Sequence, residues 1–118
     1  MMNVLIVDDS RAMRMIVSRT LRQAGYGDGN LREAADGAEA LAAIQAEKPD
    51  LVLSDWNMPE MNGIELLRAL RAEGNDVRFG FVTSESTTEM REVAIAAGAE
   101  FLIGKPFTAE NFADILGD

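Results

Sequence analysis

Short apolar runs alternate with helix-period segments along this chain, and that alternation narrows its possible folds more than any other feature. The runs lie at residues 3–7 (NVLIV), 51–54 (LVLS), 79–83 (FGFVT) and 101–103 (FLI). They are continuous rather than alternating, as strands covered on both faces must be. A weaker run at 31–35 carries Arg32 and Glu33, which suit a sheet edge better than its centre. Between the runs, apolar residues return at helical spacing. Met13, Ile16, Val17 and Leu21 form the first such face, Leu41 and Ile44 the second, and Ile64, Leu67 and Leu70 the third. Met90, Val93, Ala94 and Ala97 follow, and Phe112, Ile115 and Leu116 make a short last helix. Asn62 and Ser86 each stand three residues before a glutamate, Glu65 and Glu89, the spacing of a capping box. Gly74 and Gly98 fall where helices should stop, and Gly25, Gly27 and Gly29 form a turn-rich segment. The pattern predicts a (βα)5 α/β domain, doubly wound, with a parallel sheet covered by helices on both faces.

Composition removes several function classes. At 118 residues the chain is expected to form a single domain over 1–118. It has no cysteine and no histidine, so disulfides, thiolate or imidazole metal sites and a phosphohistidine of its own are all excluded. Eleven Lys+Arg against twenty Asp+Glu give a net charge of −9, which repels a phosphate backbone, so no nucleic-acid partner is expected. No apolar run approaches the ~20 residues of a membrane span, and the N-terminus lacks a basic-then-apolar leader. A soluble protein of a reducing or indifferent compartment is the expectation.

Sheets of this kind carry their sites beyond the carboxyl ends of the strands, and polar residues collect there. The first run leads into Asp8 and Asp9, the third ends on Asp55, the fourth ends on Thr83, and Lys105 follows the fifth. Two carboxylates ~4 Å apart repel by roughly 4 kcal/mol at an effective dielectric near 20. Three of them beside one lysine call for a divalent cation, and an all-oxygen donor set points to Mg²⁺, with Mn²⁺ also suitable. A carboxylate beside such a metal can attack phosphorus and form an acyl phosphate. Thr83 and Lys105 would help neutralise the phosphoryl oxygens. There is no Gly-x-x-x-x-Gly-Lys loop to cradle a nucleotide, so the phosphoryl group must come from another molecule.

VLIVDDS at residues 4–10, LSDWNMPEMNG at 53–63, FVTSES at 81–86 and AGAEFLIGKPFT at 97–108 resemble the response-regulator receiver domain. With its Asp-Trp-Asn-Met-Pro string and no output domain in view, the chain is most similar to the stand-alone chemotaxis (CheY) type. The resemblance covers essentially the whole chain and implies a flavodoxin-like fold of strand order 2-1-3-4-5. It implies that Asp55 is the phosphoacceptor and that Asp8, Asp9, Asp55 and the backbone carbonyl of Asn57 hold Mg²⁺. By the same resemblance Thr83 turns toward the phosphoryl group, Lys105 pairs with it, and the Lys105–Pro106 bond is cis. Asn57 and Glu85 match positions that set the dephosphorylation rate.

The implied partners are a histidine kinase as phosphodonor and a downstream protein on the face of the fourth helix, fifth strand and fifth helix. A cytoplasmic monomer is expected, with a phosphorylation-dependent dimer left open. Such a domain is no enzyme beyond catalysing its own phosphorylation and dephosphorylation, and it could serve motor control, a phosphate sink or a phosphorelay. One departure concerns the switch. The family's rotating aromatic falls at Leu102, and Phe101 beside it should face the other way, because strand neighbours alternate. The switch is therefore expected to run without that aromatic, unless the strand slips or bulges to present Phe101. Gly80 inside a predicted strand and Gly104 before Lys105 have no explanation in the sequence.

Two other classes compete. An aspartyl-phosphate phosphohydrolase would want a second aspartate two residues after the nucleophile as its general acid, where Asn57 stands. A flavodoxin-like electron carrier would want a Ser/Thr/Gly-rich loop after the first strand, where Asp8-Asp9-Ser10 stands. Met13, Met15 and Met90 read as helix packing and Met58 and Met61 as a loop that could meet a partner, while Trp56 flanks the site. Arg19, Arg22, Arg68 and Arg71 read as solvated helix surface, and Ser84, Ser86, Thr87 and Thr88 as turn and capping residues.

Overall fold

Ten elements alternate without exception along the computed structural model, which describes residues 2–26 and 29–116. They are β1 (Val4–Val7), α1 (Arg11–Gln23), β2 (Leu31–Ala34), α2 (Gly37–Ala46), β3 (Leu51–Ser54), α3 (Gly63–Ala72), β4 (Arg78–Thr83), α4 (Thr88–Ala97), β5 (Phe101–Gly104) and α5 (Ala109–Leu116). The strands form one sheet in the order β2-β1-β3-β4-β5, every pair parallel, as the resemblance implied. Gly27, in the expected turn segment, lies outside the described residues; Gly25 there has φ 96°.

Strand alternation divides the core in two. Ile6, Leu53, Val82, Phe101 and Ile103 face α1 and α5, where they meet Val17, Leu21 and Phe112. Leu5, Val7, Val52, Phe81 and Leu102 face α2, α3 and α4, where they meet Ile44, Leu67 and Ala94. Four expected packing residues stay outside: Met15 is 52 % exposed, Ile16 44 %, Val93 40 % and Ile115 38 %. A helix turns 100° per residue, so Ile16 stands well off the arc through Val17 and Leu21. Thr20 is buried on α1 instead, with its hydroxyl satisfied by donation to the Ile16 carbonyl at 2.7 Å.

Helix termini follow their local chemistry. Asn62 accepts from the Glu65 N–H at 2.9 Å, and the Glu65 carboxylate accepts from the Asn62 N–H at 3.0 Å, completing the expected capping box. Asn62→Ala is expected to cost about 1 kcal/mol in a urea denaturation, with an unchanged slope. At α4 the cap is Thr87, whose hydroxyl accepts from the Met90 N–H at 3.1 Å; the helix starts one residue later than the Ser86–Glu89 spacing predicts. Ser86 stands just before that cap. Its hydroxyl lies against Gly104, where a Cβ would approach it to 2.9 Å, so Gly104 lets the β4–α4 loop close on the end of β5. Arg71 is more than solvated surface, since its guanidinium donates to the carbonyls of Asn75 and Gly98, each at 2.8 Å, joining the ends of α3 and α4.

Gly80 in β4 is explained by Phe101 in β5. Gly80 pairs with Phe101 in the register, and a Cβ on Gly80 would collide with the Phe101 ring. The missing side chain is the slot that the ring fills. The strand keeps regular pairing with β4 and does not slip: Phe101 points toward α1 and α5, Leu102 to the opposite face.

Candidate functional site

Parallel pairing brings the ends of β1, β3, β4 and β5 to one rim of the sheet. Asp55 extends the β1–β3 ladder by donating its N–H to the Val7 carbonyl at 2.8 Å, and Asp8 donates to the Ala34 carbonyl of β2 at 3.2 Å. Lys105 donates its N–H to the carbonyl of Thr83, the last residue of β4, at 2.8 Å. These main-chain bonds fix where the side chains start, and the Lys105–Pro106 bond that follows is cis.

Carboxylate oxygens of Asp8, Asp9 and Asp55 all lie within 4.8 Å of one another. Lys105 Nζ stands 3.2 Å from Asp8 Oδ2 and 3.7 Å from Asp55 Oδ2. The remaining oxygens are held by backbone: Asp8 Oδ1 accepts from the Ser10 N–H at 2.9 Å, and Asp55 Oδ1 from the Trp56 N–H at 2.8 Å. Asp8 is buried and Asp9 exposed, while the Asp55 side chain is only 13 % exposed. Burial pushes the Asp55 carboxyl above its ordinary value of 3.8; Lys105 opposes that shift, whereas the Asp8 and Asp9 charges add to it. Such a cluster of hard oxygens, short of positive charge, fits a divalent cation of the Mg²⁺ class.

Thr83 is fully buried, and its hydroxyl accepts from the Glu85 N–H at 3.3 Å. The Glu85 carboxylate in turn accepts from the Asn57 side-chain amide at 3.1 Å, so the β3–α3 and β4–α4 loops meet beside Asp55. Trp56 stacks on Phe81 with ring centroids 4.7 Å apart, and Phe81 belongs to the core beneath the site. Phe101 and Leu102 lie within the sheet packing, away from this cluster.

Sequence reading missed Gly63. It is buried at the start of α3 and donates its N–H to the Trp56 carbonyl at 2.8 Å, and a Cβ there would collide with the Asp55 carbonyl and the Phe81 ring. The signal was a glycine at the first helical position after Asn62, where neither turn nor cap requires one. Gly37 acts alike: it donates to the Met61 carbonyl at 3.1 Å and leaves no room for a side chain beside Met61.

Residues 4–116 match the family model described as the response regulator receiver domain. The chain belongs to that family. The receiver is 40 % identical to a chemotaxis protein CheY homolog of Campylobacter jejuni, over 98 % of this chain and 93 % of that protein. It is 39 % identical to the Vibrio cholerae chemotaxis response regulator CheY4, with a TM-score of 0.85 over 98 % of this chain and 96 % of that one. A CheY-like receiver domain protein of Methanospirillum hungatei is 30 % identical, with a TM-score of 0.82 over 96 % and 88 % of the two chains. The receiver is thus of the CheY type, a two-component signalling domain. No helix among its described residues is long and apolar enough to cross a membrane.

Proposed function

We propose that this receiver takes a phosphoryl group onto Asp55 from a phosphohistidine of a sensor kinase and switches partner binding in chemotaxis signalling. The convergence of Asp8, Asp9, Asp55 and Lys105 on one rim carries this reading. Asp55 Oδ1 is occupied by the Trp56 N–H, which leaves Oδ2, on the Lys105 side, to attack phosphorus. The new P–O bond forms as the donor's P–N bond breaks, and the imidazole leaves with its electron pair and a solvent proton. Lys105 exchanges its contact with the Asp55 carboxylate for one with the phosphoryl oxygens. Asp8, Asp9, Asp55 and the Asn57 carbonyl would hold Mg²⁺, or Mn²⁺ in its place. Bound there, the metal supplies neutralisation of the phosphoryl charge.

Turning the Thr83 hydroxyl toward the phosphoryl group gives up its bond from the Glu85 N–H, which frees the loop leading into α4. Exposed Ile95 on α4, one turn beyond the Arg91 that donates to the Leu102 carbonyl of β5, and Ile115 on α5 then give the α4–β5–α5 face apolar side chains to offer a downstream protein. Asn57 and Glu85, joined across Asp55, stand where they would govern the approach of water to the phosphoryl group.

Trp56 makes the reading testable, because its backbone N–H binds the Asp55 carboxylate and its ring packs on Phe81 beneath the site. Its emission should change as Mg²⁺ is added and change further with acetyl phosphate. Asp55→Asn should lose the second response. A protein indifferent to Mg²⁺, or a donor response that survives Asp55→Asn, would refute the assignment.

A further inference from the structure

We infer that Arg14 is a positioning residue for the metal site, acting through the Asp8–Asp9 peptide; the inference rests on the Mg²⁺ reading above. Arg14 lies in the first turn of α1 with its side chain only 14 % exposed. Its Nη1 donates to the Asp8 carbonyl at 2.6 Å, and its Nε donates to Glu33 Oε1 on β2 at 2.8 Å. The guanidinium is a rigid fork, so one end anchored on β2 fixes the other against the main chain just past β1.

That carbonyl is the remaining handle on Asp8. Its N–H is bonded to Ala34, Oδ1 accepts from Ser10, and Oδ2 faces Lys105. The Asp8 C=O shares a rigid plane with the Asp9 N and Cα. Whatever orients the carbonyl therefore orients the direction in which Asp9 leaves the chain. Asp9 is exposed and has no neighbouring strand to hold it, yet its carboxylate must reach the same point as those of Asp8 and Asp55. The Ser10 N–H bond to Asp8 Oδ1 spans Asp9 from one side, and Arg14 supplies a second constraint, on the Asp8–Asp9 peptide itself.

Charge alone would argue against an arginine here. A cation in the first turn opposes the helix dipole, and a positive charge near three carboxylates competes with a metal for their field. Glu33 offsets part of that charge. The sign of the effect on metal affinity therefore separates the two roles. If Arg14 matters only through its charge, Arg14→Met tightens Mg²⁺ binding; if it positions the peptide, Arg14→Met weakens it.

The test titrates the intact chain with Mg²⁺ and follows Trp56 emission for wild type, Arg14→Met and Arg14→Lys, with a thermal melt of each in metal-free buffer. Arg14→Met should raise the Kd for Mg²⁺ about tenfold, the scale for residues that orient metal ligands. Arg14→Lys keeps the charge but cannot span Asp8 and Glu33, and should also raise it, by less. In metal-free protein the Asp9 amide resonance should shift in both variants. Unchanged or tighter binding by Arg14→Met overturns the inference. Should that variant melt below the assay temperature, unchanged binding by Arg14→Lys overturns it instead. A wild type that does not respond to Mg²⁺ defeats the underlying reading, a result distinct from either.

Discussion

Asp55→Asn is expected to end phosphoryl incorporation and, in metal-free buffer, to make the protein more stable than wild type. The first effect follows from chemistry, since an amide oxygen forms no acyl phosphate. The second follows from where Asp55 sits. Its carboxylate is largely buried, is repelled by Asp8 and Asp9, and is only partly compensated by Lys105 at 3.7 Å. An amide of the same shape keeps the bond from the Trp56 N–H through its carbonyl oxygen and sheds the charge. A gain of roughly 1 kcal/mol is expected, the usual return when a site held for function is relieved.

Its pH dependence has a definite sign. The folded carboxyl holds its proton more tightly than the unfolded one, so the contribution of Asp55 to wild-type stability falls as pH rises from the ordinary value of 3.8 through the raised folded value. The advantage of Asp55→Asn should therefore open across that window and stay constant at neutral pH. Mg²⁺ should reverse the order, because a bound ligand stabilises wild type by about 2.7 kcal/mol at a hundred times its Kd and the variant has lost one donor. Urea denaturation with and without Mg²⁺, at acidic and neutral pH, measures all of this. A variant less stable than wild type in metal-free buffer would mean that Asp55 is not strained in the folded state.

What the sequence disclosed about the site, and what it withheld, differ by a physical criterion. Asp8 and Asp55 directly follow an apolar run, Thr83 ends one and Lys105 stands two residues past another, so locating the strands was enough to place them on one rim. Local chemistry likewise made the Asn62–Glu65 capping box and the stop at Gly98 readable. Gly63, Arg14 and the Gly80–Phe101 pair were not readable, because each is defined by an atom on another element. Gly63 is a glycine because the Asp55 carbonyl is there, and Arg14 is held by a β2 side chain nineteen positions away. Thr87 caps α4 in place of Ser86, a one-residue shift that the Ser86–Glu89 spacing does not disclose. Exposure of Ile16, Val93 and Ile115 shows the limit of apolar periodicity, which finds the helix but not the width of the arc that packing covers.

Gly80→Ala should be the most damaging single-methyl change in the sheet, costing about 2 kcal/mol by overpacking. Gly80 is buried in the second strand from the edge, and the added Cβ would enter the space of the Phe101 ring. The ring cannot simply retreat, because it is packed into the α1–α5 side of the core with Phe112 and Val82. Phe101→Leu alone should also destabilise, by leaving a cavity where the ring was. Together the two changes should cost less than their sum, with a coupling of at least 0.5 kcal/mol in a double-mutant cycle. Additive costs would show that the slot and the ring are independent. The same geometry bears on signalling. The Phe101 ring fills the slot beside Gly80 on the α1–α5 side of the sheet, away from Asp55 and Thr83, and Leu102 on the other face carries no aromatic. Phe101→Leu should therefore leave the rate of phosphorylation by acetyl phosphate unchanged while lowering stability. A change in that rate would make Phe101 part of the response, and its coupling to Gly80 would then be a constraint on motion rather than on packing alone.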